Sequence, residues 1–209
     1  MAGAMCWAGF LLIAWLVHIG AAQGFDRTGL FYWRTGANRM PWGPSWLPDV
    51  MLSLTALGGV LLRNLLALAA AAGLMIGRRT REAAWFAGTF GSAWIVDWLL
   101  KIAIARPRPE IVPHLTHATG MSFPSGHSFN SAAIYLAMAL TFGALSQRRR
   151  IRVLLVAGAF TLSSAIALSR VWLGVHHPTD VIAGWLGGTG WALFAYALSH
   201  RSRAAGETG

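Results

Sequence analysis

The sequence predicts an all-α fold, a polytopic membrane bundle of about six transmembrane helices. Three observations lead to this class. Of 209 residues, 56% are hydrophobic and only 11% are charged, whereas a soluble domain carries about a quarter charged residues. Several apolar stretches approach the roughly 20 residues that a helix needs to cross a bilayer. The segments between them are short and rich in arginine, as in the loops of membrane proteins.

Six apolar stretches are long enough to serve as membrane spans. They lie at Met5–Ala22, Gly59–Ile76, Ala83–Ala105, His127–Leu145, Val153–Leu173 and Pro178–Leu198. The five residues before the first apolar core carry no basic side chain, which favours a retained helix over a cleaved signal peptide. No long polar linker interrupts the chain, so residues 1–209 are interpreted as a single membrane-embedded domain.

The formal charge of +10 does not indicate nucleic-acid binding, because many of the arginines lie in short clusters between apolar stretches. Three such clusters fall on one side of the predicted bundle. They are Arg78, Arg79 and Arg81; Arg148, Arg149, Arg150 and Arg152; and Arg201 and Arg203. Short loops rich in Lys and Arg stay cytoplasmic. The pattern therefore predicts a bacterial inner-membrane protein with both termini in the cytoplasm, and it leaves the oligomeric state open.

Basic residues on the opposite side of the bundle require another explanation. Lys101, the only lysine, lies near the end of the third span, and Arg108 follows between two prolines that break the helix. The turn can aim Arg108 back toward Lys101, and two close cations favour an anion between them. Arg matches phosphate oxygens with its fork, while Lys acts as a point charge. Anchoring to lipid head groups by snorkelling is the alternative for this first cluster.

The second cluster, Pro124-Ser125-Gly126-His127, opens the fourth span. A helix N-terminus presents free N–H groups that attract anions. Gly126 permits close approach to the backbone, and Ser125 offers a hydroxyl donor or a helix cap. His127 is a candidate acid–base group at the mouth of the site, and a capping or core histidine remains the alternative.

The third cluster joins the fifth and sixth spans. Arg170 precedes a turn in which His176 is followed four residues later by Asp180, in the first turn after Pro178. A carboxylate on Nδ1–H of a histidine fixes its tautomer and leaves Nε2 free as a nucleophile. A purely structural His–Asp pair is the alternative. His177 lacks the four-residue spacing and ranks below His176.

These clusters resemble the signature motifs of the type 2 phosphatidic acid phosphatase family, which also includes vanadium haloperoxidases. They read Lys101-x6-Arg108-Pro109, Pro124-Ser125-Gly126-His127 and Ser169-Arg170-x5-His176-x3-Asp180. The resemblance implies a helical bundle with an externally facing phosphate site that needs no metal or other cofactor. It implies that phosphate is held by Lys101, Arg108, Ser125, Gly126 and Arg170. It also implies that His176 is the nucleophile, Asp180 its orienting partner and His127 the general acid.

The combined prediction is a membrane enzyme that removes phosphate from a lipid through a phosphohistidine. An isoprenoid diphosphate, phosphatidic acid, phosphatidylglycerol phosphate and a phosphorylated lipid A all fit a cationic pocket open to the bilayer. The alternatives are a lipid phosphotransferase, in which an acceptor other than water attacks the phosphohistidine, and a lipid transporter that uses the same cationic cavity. Six apolar spans argue against a haloperoxidase, because those enzymes are soluble.

Four further features carry predictions. Asp97 precedes Lys101 by one helical turn, which predicts an ion pair that positions Lys101, with a purely structural pair as the alternative. Arg63 is interpreted as snorkelling to the interface, with substrate contact as the alternative. The aromatic segment Phe25–Asp49 is interpreted as an interfacial anchor, with a lid over the site as the alternative. Gly184 and Gly188, one turn apart, predict close helix packing.

Overall fold

The computed structural model describes the backbone of residues 1–206 and the side chains of residues 1–199, and it confirms the all-α class. Helices cover each of the six predicted spans, and the described chain also contains two helices that the sequence did not predict. The bounds are α1 (Ala2–His18), α2 (Gln23–Phe31), α3 (Leu47–Gly58), α4 (Val60–Ile76), α5 (Thr80–Ile104), α6 (Gly126–Ala144), α7 (Arg149–Trp172) and α8 (Pro178–Gly206). The side chains of Arg201 and Arg203, assigned to a cytoplasmic cluster, lie outside the described residues.

The helices differ in how readily they qualify as membrane spans. Within the described chain, α5, α7 and the Pro178–Ser199 part of α8 are long and apolar enough to cross a bilayer. Two bent pairs add candidate broken spans: α1 with α2 at 96°, and α3 with α4 at 49°. The first predicted span is therefore too long at its C-terminal end, because α1 ends at His18 and the chain turns sharply into α2.

Helix α6 is the centre of the bundle, and every residue from Ser128 to Ala137 is buried. It packs mainly against α7 and α8, and also against α5. The polar side chains His127, Ser128 and Asn130 in its first turns lower its hydropathy. Neighbouring helices surround α6, so that these polar groups face protein or a cavity rather than lipid.

Glycines on α8 set the distance between α8 and α6, as the spacing of Gly184 and Gly188 predicted. A Cβ atom on Gly184 would lie 2.7 Å from the carbonyl oxygen of Ser125. A Cβ on Gly188 would lie 2.8 Å from the carbonyl carbon of Phe129. The two backbones are therefore in direct contact, which is the packing that small residues allow between membrane helices.

The aromatic segment Phe25–Asp49 forms α2, a two-residue antiparallel ribbon of β1 (Arg34–Thr35) and β2 (Met40–Pro41), and the start of α3. Arg34 donates to the carbonyl oxygen of Trp172 at 2.8 Å, and Arg39 donates to that of Ile111 at 2.6 Å. The segment is thus attached to the same end of the bundle as the three clusters. Trp42 and Trp46 are exposed, and the interfacial-anchor role stays a prediction.

Replacing Gly188 by Ala should destabilise the protein, because the added methyl group would force α8 away from the backbone of Phe129. Overpacking of this kind costs about 1–3 kcal/mol. Gly158→Ala is the matched control, since a Cβ at this position of α7 would meet no atom within 4 Å. Alanine should stabilise α7 there by up to about 1 kcal/mol. Thermal unfolding in detergent measures both variants, and equal effects would contradict the proposed contact.

Candidate active site

The three sequence clusters meet at one cavity of about 320 Å³ at the end of the bundle where α5 and α7 end and α6 and α8 begin. Six of the eight predicted site residues line it: Lys101, Arg108, Gly126, His127, Arg170 and His176. Ser125 and Asp180 are fully buried and are not among the lining residues.

His176 lies in the turn between α7 and α8 and is 2% exposed. Its Nε2 atom lies 3.0 Å from Nη1 of Arg108. Since a guanidinium only donates hydrogen bonds, Nε2 is the acceptor and Nδ1 carries the proton of the neutral ring. Nδ1 lies 3.3 Å from Oγ of Ser122 and 3.5 Å from Oδ2 of Asp180. Burial lowers the pKa of His176 to about 3, against the opposing effect of Asp180, so the ring is neutral near pH 7.

Asp180 is held by donors from several segments of the chain. Its Oδ1 accepts from Arg106 at 2.6 Å, and its Oδ2 accepts from the hydroxyl of Ser122 and from the backbone N–H of His177. The carboxylate is therefore fixed on the Nδ1 side of His176. Nδ1 of His177 also lies 3.2 Å from Oδ2 of Asp180, but His177 does not line the cavity.

Arg106 links Asp180 to a second buried carboxylate. Its Nη2 lies 2.7 Å from Oδ2 of Asp26 in α2, and Asp26 is 2% exposed. Asp26 also accepts from the backbone N–H and the hydroxyl of Thr179. Arg106, Asp26 and Ser122 were not predicted to belong to the site. The signal available for Arg106 was its place in the first motif, two residues before Arg108.

Three cationic side chains of the sequence clusters border the cavity, and each donates hydrogen bonds to uncharged oxygen atoms. Lys101 donates to the carbonyl oxygen of Pro124. Arg108 donates to the carbonyl oxygens of Val175, at 2.8 Å, and of the loop before α6. Arg170 donates to the hydroxyl of Thr55 at 2.7 Å. Among the described side chains none of the three forms an ion pair within 4 Å. Burial lowers the pKa of Arg108, and an anion in the cavity would stabilise the charge of this group.

The start of α6 forms part of the cavity wall. Ser125 occupies the N-cap position of α6 without a side-chain capping bond, and its backbone N–H donates to the carbonyl oxygen of Asp180 at 3.0 Å. The Ser125 hydroxyl has no hydrogen-bond partner among the described residues. A Cβ on Gly126 would lie 3.0 Å from Oδ2 of Asp97 and 3.4 Å from Cε of Lys101. A side chain there would therefore fill the wall beside Lys101. Phosphate contacts by Ser125 and Gly126 stay predictions.

Two predictions outside the motifs were wrong. Arg63 does not snorkel to the interface: it is 2% exposed, lines the cavity and donates to the carbonyl oxygen of Gly58 at 2.8 Å. The break between α3 and α4 at Gly59 places it there. Asp97 forms no ion pair with Lys101 in the described structure. It instead accepts a hydrogen bond from Asn130 at 3.1 Å, because Lys101 reaches toward the loop before α6.

The chain is similar in sequence and fold to known proteins. The PAP2 superfamily matches residues 82–204, which include all three clusters. Phosphatidylglycerophosphatase B of Bacillus subtilis (strain 168) is 34% identical over 182 residues, which cover 84% of each chain. Lipid A 1-phosphatase of Rhizobium etli is 41% identical over 109 residues, covering 48% of this chain and 42% of that one. The crystal structure of the first transmembrane PAP2 type phosphatidylglycerolphosphate phosphatase from Bacillus subtilis superposes with a TM-score of 0.83, at 28% identity, and covers 95% of this chain and 96% of that one.

The lowered pKa of His176 predicts a loss of stability in acid. In the unfolded chain the ring binds a proton below about pH 6.5, whereas the folded protein holds it neutral down to about pH 3. The contribution of His176 to the free energy of unfolding therefore falls as the pH is lowered, by about 2 kcal/mol between pH 7 and pH 5.

The measurement is thermal or denaturant unfolding at both pH values. His176→Asn should lose stability in acid less steeply than the wild type. The matched control, His18→Asn at an exposed position of α1, should keep the wild-type slope. A His176→Asn slope equal to that of the wild type would contradict the neutral buried ring.

Proposed function

The chain belongs to the PAP2 superfamily and is a membrane lipid phosphatase, and from this premise we propose that His176 forms a phosphohistidine during turnover. The observation that carries the proposal is the position of Nε2. This atom lies in the wall of a cavity lined by cations, and the opposite side of the ring faces a fixed carboxylate. A phosphate drawn into the cavity would take over the hydrogen bond of Arg108 and free the lone pair of Nε2.

The reaction proceeds in two displacements on phosphorus. First, Nε2 of His176 forms the N–P bond while the bond from phosphorus to the lipid oxygen breaks. His127 donates a proton to that oxygen as it leaves. Water then attacks phosphorus, His127 accepts a proton from it, and the N–P bond breaks to release inorganic phosphate. General acid–base help of this kind contributes about 10²–10⁴-fold to the rate.

Asp180 acts on the ring rather than on the phosphate. It keeps the proton on Nδ1 before attack and stabilises the positive charge that the ring gains when the N–P bond forms. Lys101, Arg108 and Arg170 stabilise charge on the three non-reacting oxygens, which is usually a large part of catalysis. Gly126 and Ser125 complete the phosphate site with the N-terminus of α6. Because side chains supply the positive charge, the mechanism requires no metal.

The proposed substrates are lipids with a terminal phosphomonoester or diphosphate. Two of the relatives are named as a phosphatidylglycerophosphatase and a lipid A 1-phosphatase. An isoprenoid diphosphate or phosphatidic acid also presents a terminal phosphate to such a cavity. The reacting phosphorus is the same in each case, and the lipid differs in what is attached to the leaving oxygen.

The proposed orientation places the active site on the periplasmic side of a bacterial inner membrane. The loop between α5 and α6 and the turn between α7 and α8 both border the cavity. The arginine-rich connections after α4 and before α7 lie at the other ends of their helices. Such loops stay cytoplasmic, which also puts both termini there. We propose that residues 1–209 act as one membrane-embedded domain.

His176→Ala should abolish phosphate release from lipid phosphates while the protein remains folded, because no other group takes the place of Nε2. Removing a nucleophile typically lowers the rate by more than about 10⁴-fold. The assay uses purified protein, a panel of the lipids named above and a chelator, which should leave the wild-type rate unchanged. His18→Ala, at an exposed histidine, is the matched control and should keep full activity. Normal turnover by His176→Ala would refute the assignment.

A further inference from the structure

The cavity extends beyond the motif residues to a polar surface formed by Arg63, Asp97 and Asn130, here called the inner wall. Asp97 lies one turn before Lys101 on α5, and Asn130 lies one turn after Gly126 on α6. Both therefore lie deeper in the bundle than the phosphate-binding cations. Arg63 approaches from α4 and covers the ring of Trp94 at 5.5 Å. The phosphatase mechanism uses none of these side chains.

The inner wall holds polar atoms that the protein itself does not satisfy. Arg63, Asp97 and Asn130 are 2%, 8% and 3% exposed. Arg63 Nε, Asp97 Oδ1 and Asn130 Oδ1 are buried and have no hydrogen-bond partner among the described residues. Buried polar groups are nearly always paired, and ionisable groups at membrane depth are costly unless they serve a site. Among the described residues, the side chains that form this wall thus contain one donor and two acceptors without a hydrogen-bond partner.

The position of the inner wall identifies the part of the substrate that it meets. His127 lies against Gly58, since a Cβ there would be 3.2 Å from Cδ2 of His127. The carbonyl oxygen of that same glycine accepts from Arg63. His127 is the proposed donor to the leaving oxygen, so the group that carries this oxygen lies next to Arg63. The inner wall therefore contacts the leaving group rather than the phosphate.

A hydroxyl group satisfies this set of atoms better than the alternatives. It donates to a carboxylate or amide oxygen and accepts from a guanidinium at the same time. An apolar isoprenoid would leave all three atoms unpaired. A second phosphate supplies acceptors for Arg63 but is repelled by Asp97.

We propose that the inner wall is a subsite for a polyol headgroup, so that the preferred substrate carries a free hydroxyl beside the scissile phosphate. This assignment rests on the proposed function, because it names the leaving group of that same reaction. Arg63 donates to the hydroxyl oxygen, and the hydroxyl donates its one hydrogen to the carboxylate of Asp97. The polyol is thereby held with its phosphate between Lys101, Arg108 and Arg170.

The first test changes the substrate and leaves the wild-type protein intact. Phosphatidylglycerol phosphate is compared with the analogue in which propanediol replaces the headgroup glycerol, so that only the free hydroxyl is lost. The kcat/KM ratio of the pair should favour the glycerol form by about 10-fold or more, because the analogue leaves buried polar groups unpaired. Equal kcat/KM values would overturn the subsite, as would a preference for an isoprenoid diphosphate over both.

The second test substitutes residues of the inner wall. Arg63→Met and Asp97→Leu should each lower the glycerol-to-propanediol ratio by about 10-fold, chiefly through the glycerol form. A displacement of Lys101 by either substitution that slows phosphate release from both substrates equally cancels in this ratio. Thr89→Val is the matched control: Thr89 is a buried polar residue of α5 whose hydroxyl donates to the carbonyl oxygen of Trp85, and it does not line this cavity. Its ratio should equal that of the wild type.

The outcomes separate the subsite from the phosphatase activity. Phosphate release from both substrates with an unchanged ratio in Arg63→Met and Asp97→Leu would overturn the subsite and leave the proposed function intact. Absence of phosphate release from every lipid phosphate by the wild-type protein would refute the proposed function and the subsite together.

Discussion

The site depends on the hydrogen bonds and the ion pair that compensate the buried carboxylate of Asp180. This carboxylate is fully buried, and a buried charge is stable only when partners compensate its lost hydration. Those partners come from separate segments: Arg106 and Ser122 from the loop before α6, and His176 and His177 from the turn before α8. Satisfying one charge therefore brings together the chain segments that form the cavity. Removing a single donor would disturb the position of His176 as well as the local fold.

This network reaches the exterior of the bundle through Arg106. The guanidinium binds Asp180 and Asp26 with separate nitrogens, so α2 is joined to the same charge cluster. The two carboxylates and the one arginine leave a net negative charge on the Nδ1 side of His176. On the Nε2 side, Lys101, Arg108 and Arg170 leave a net positive charge. The negative charge beside Nδ1 therefore favours a gain of positive charge on the ring, and the positive charge beside Nε2 favours binding of an anion there.

The fold class and the motif geometry could be predicted from the sequence because both depend on local patterns. Apolar length predicted the helices, and proline and glycine marked where α6 and α8 begin. Contacts between distant side chains were beyond such reasoning. Asp26 and Arg106 are 80 residues apart, and nothing local indicates that α2 folds against the start of α8. Arg63 was misplaced because its cavity position depends on the 49° bend between α3 and α4, and α3 was not predicted from the sequence.

Trapping the intermediate tests the central claim most directly. Wild-type protein mixed briefly with a ³²P-labelled lipid phosphate and quenched in alkali should carry label on His176, because phosphohistidine survives base and is lost in acid. His127→Ala should both gain and lose this label more slowly than the wild type, because His127 is the acid of the first step and the base of the second. Peptide mapping that finds no label on His176 in either protein, while phosphate is released by the wild type, would contradict the account.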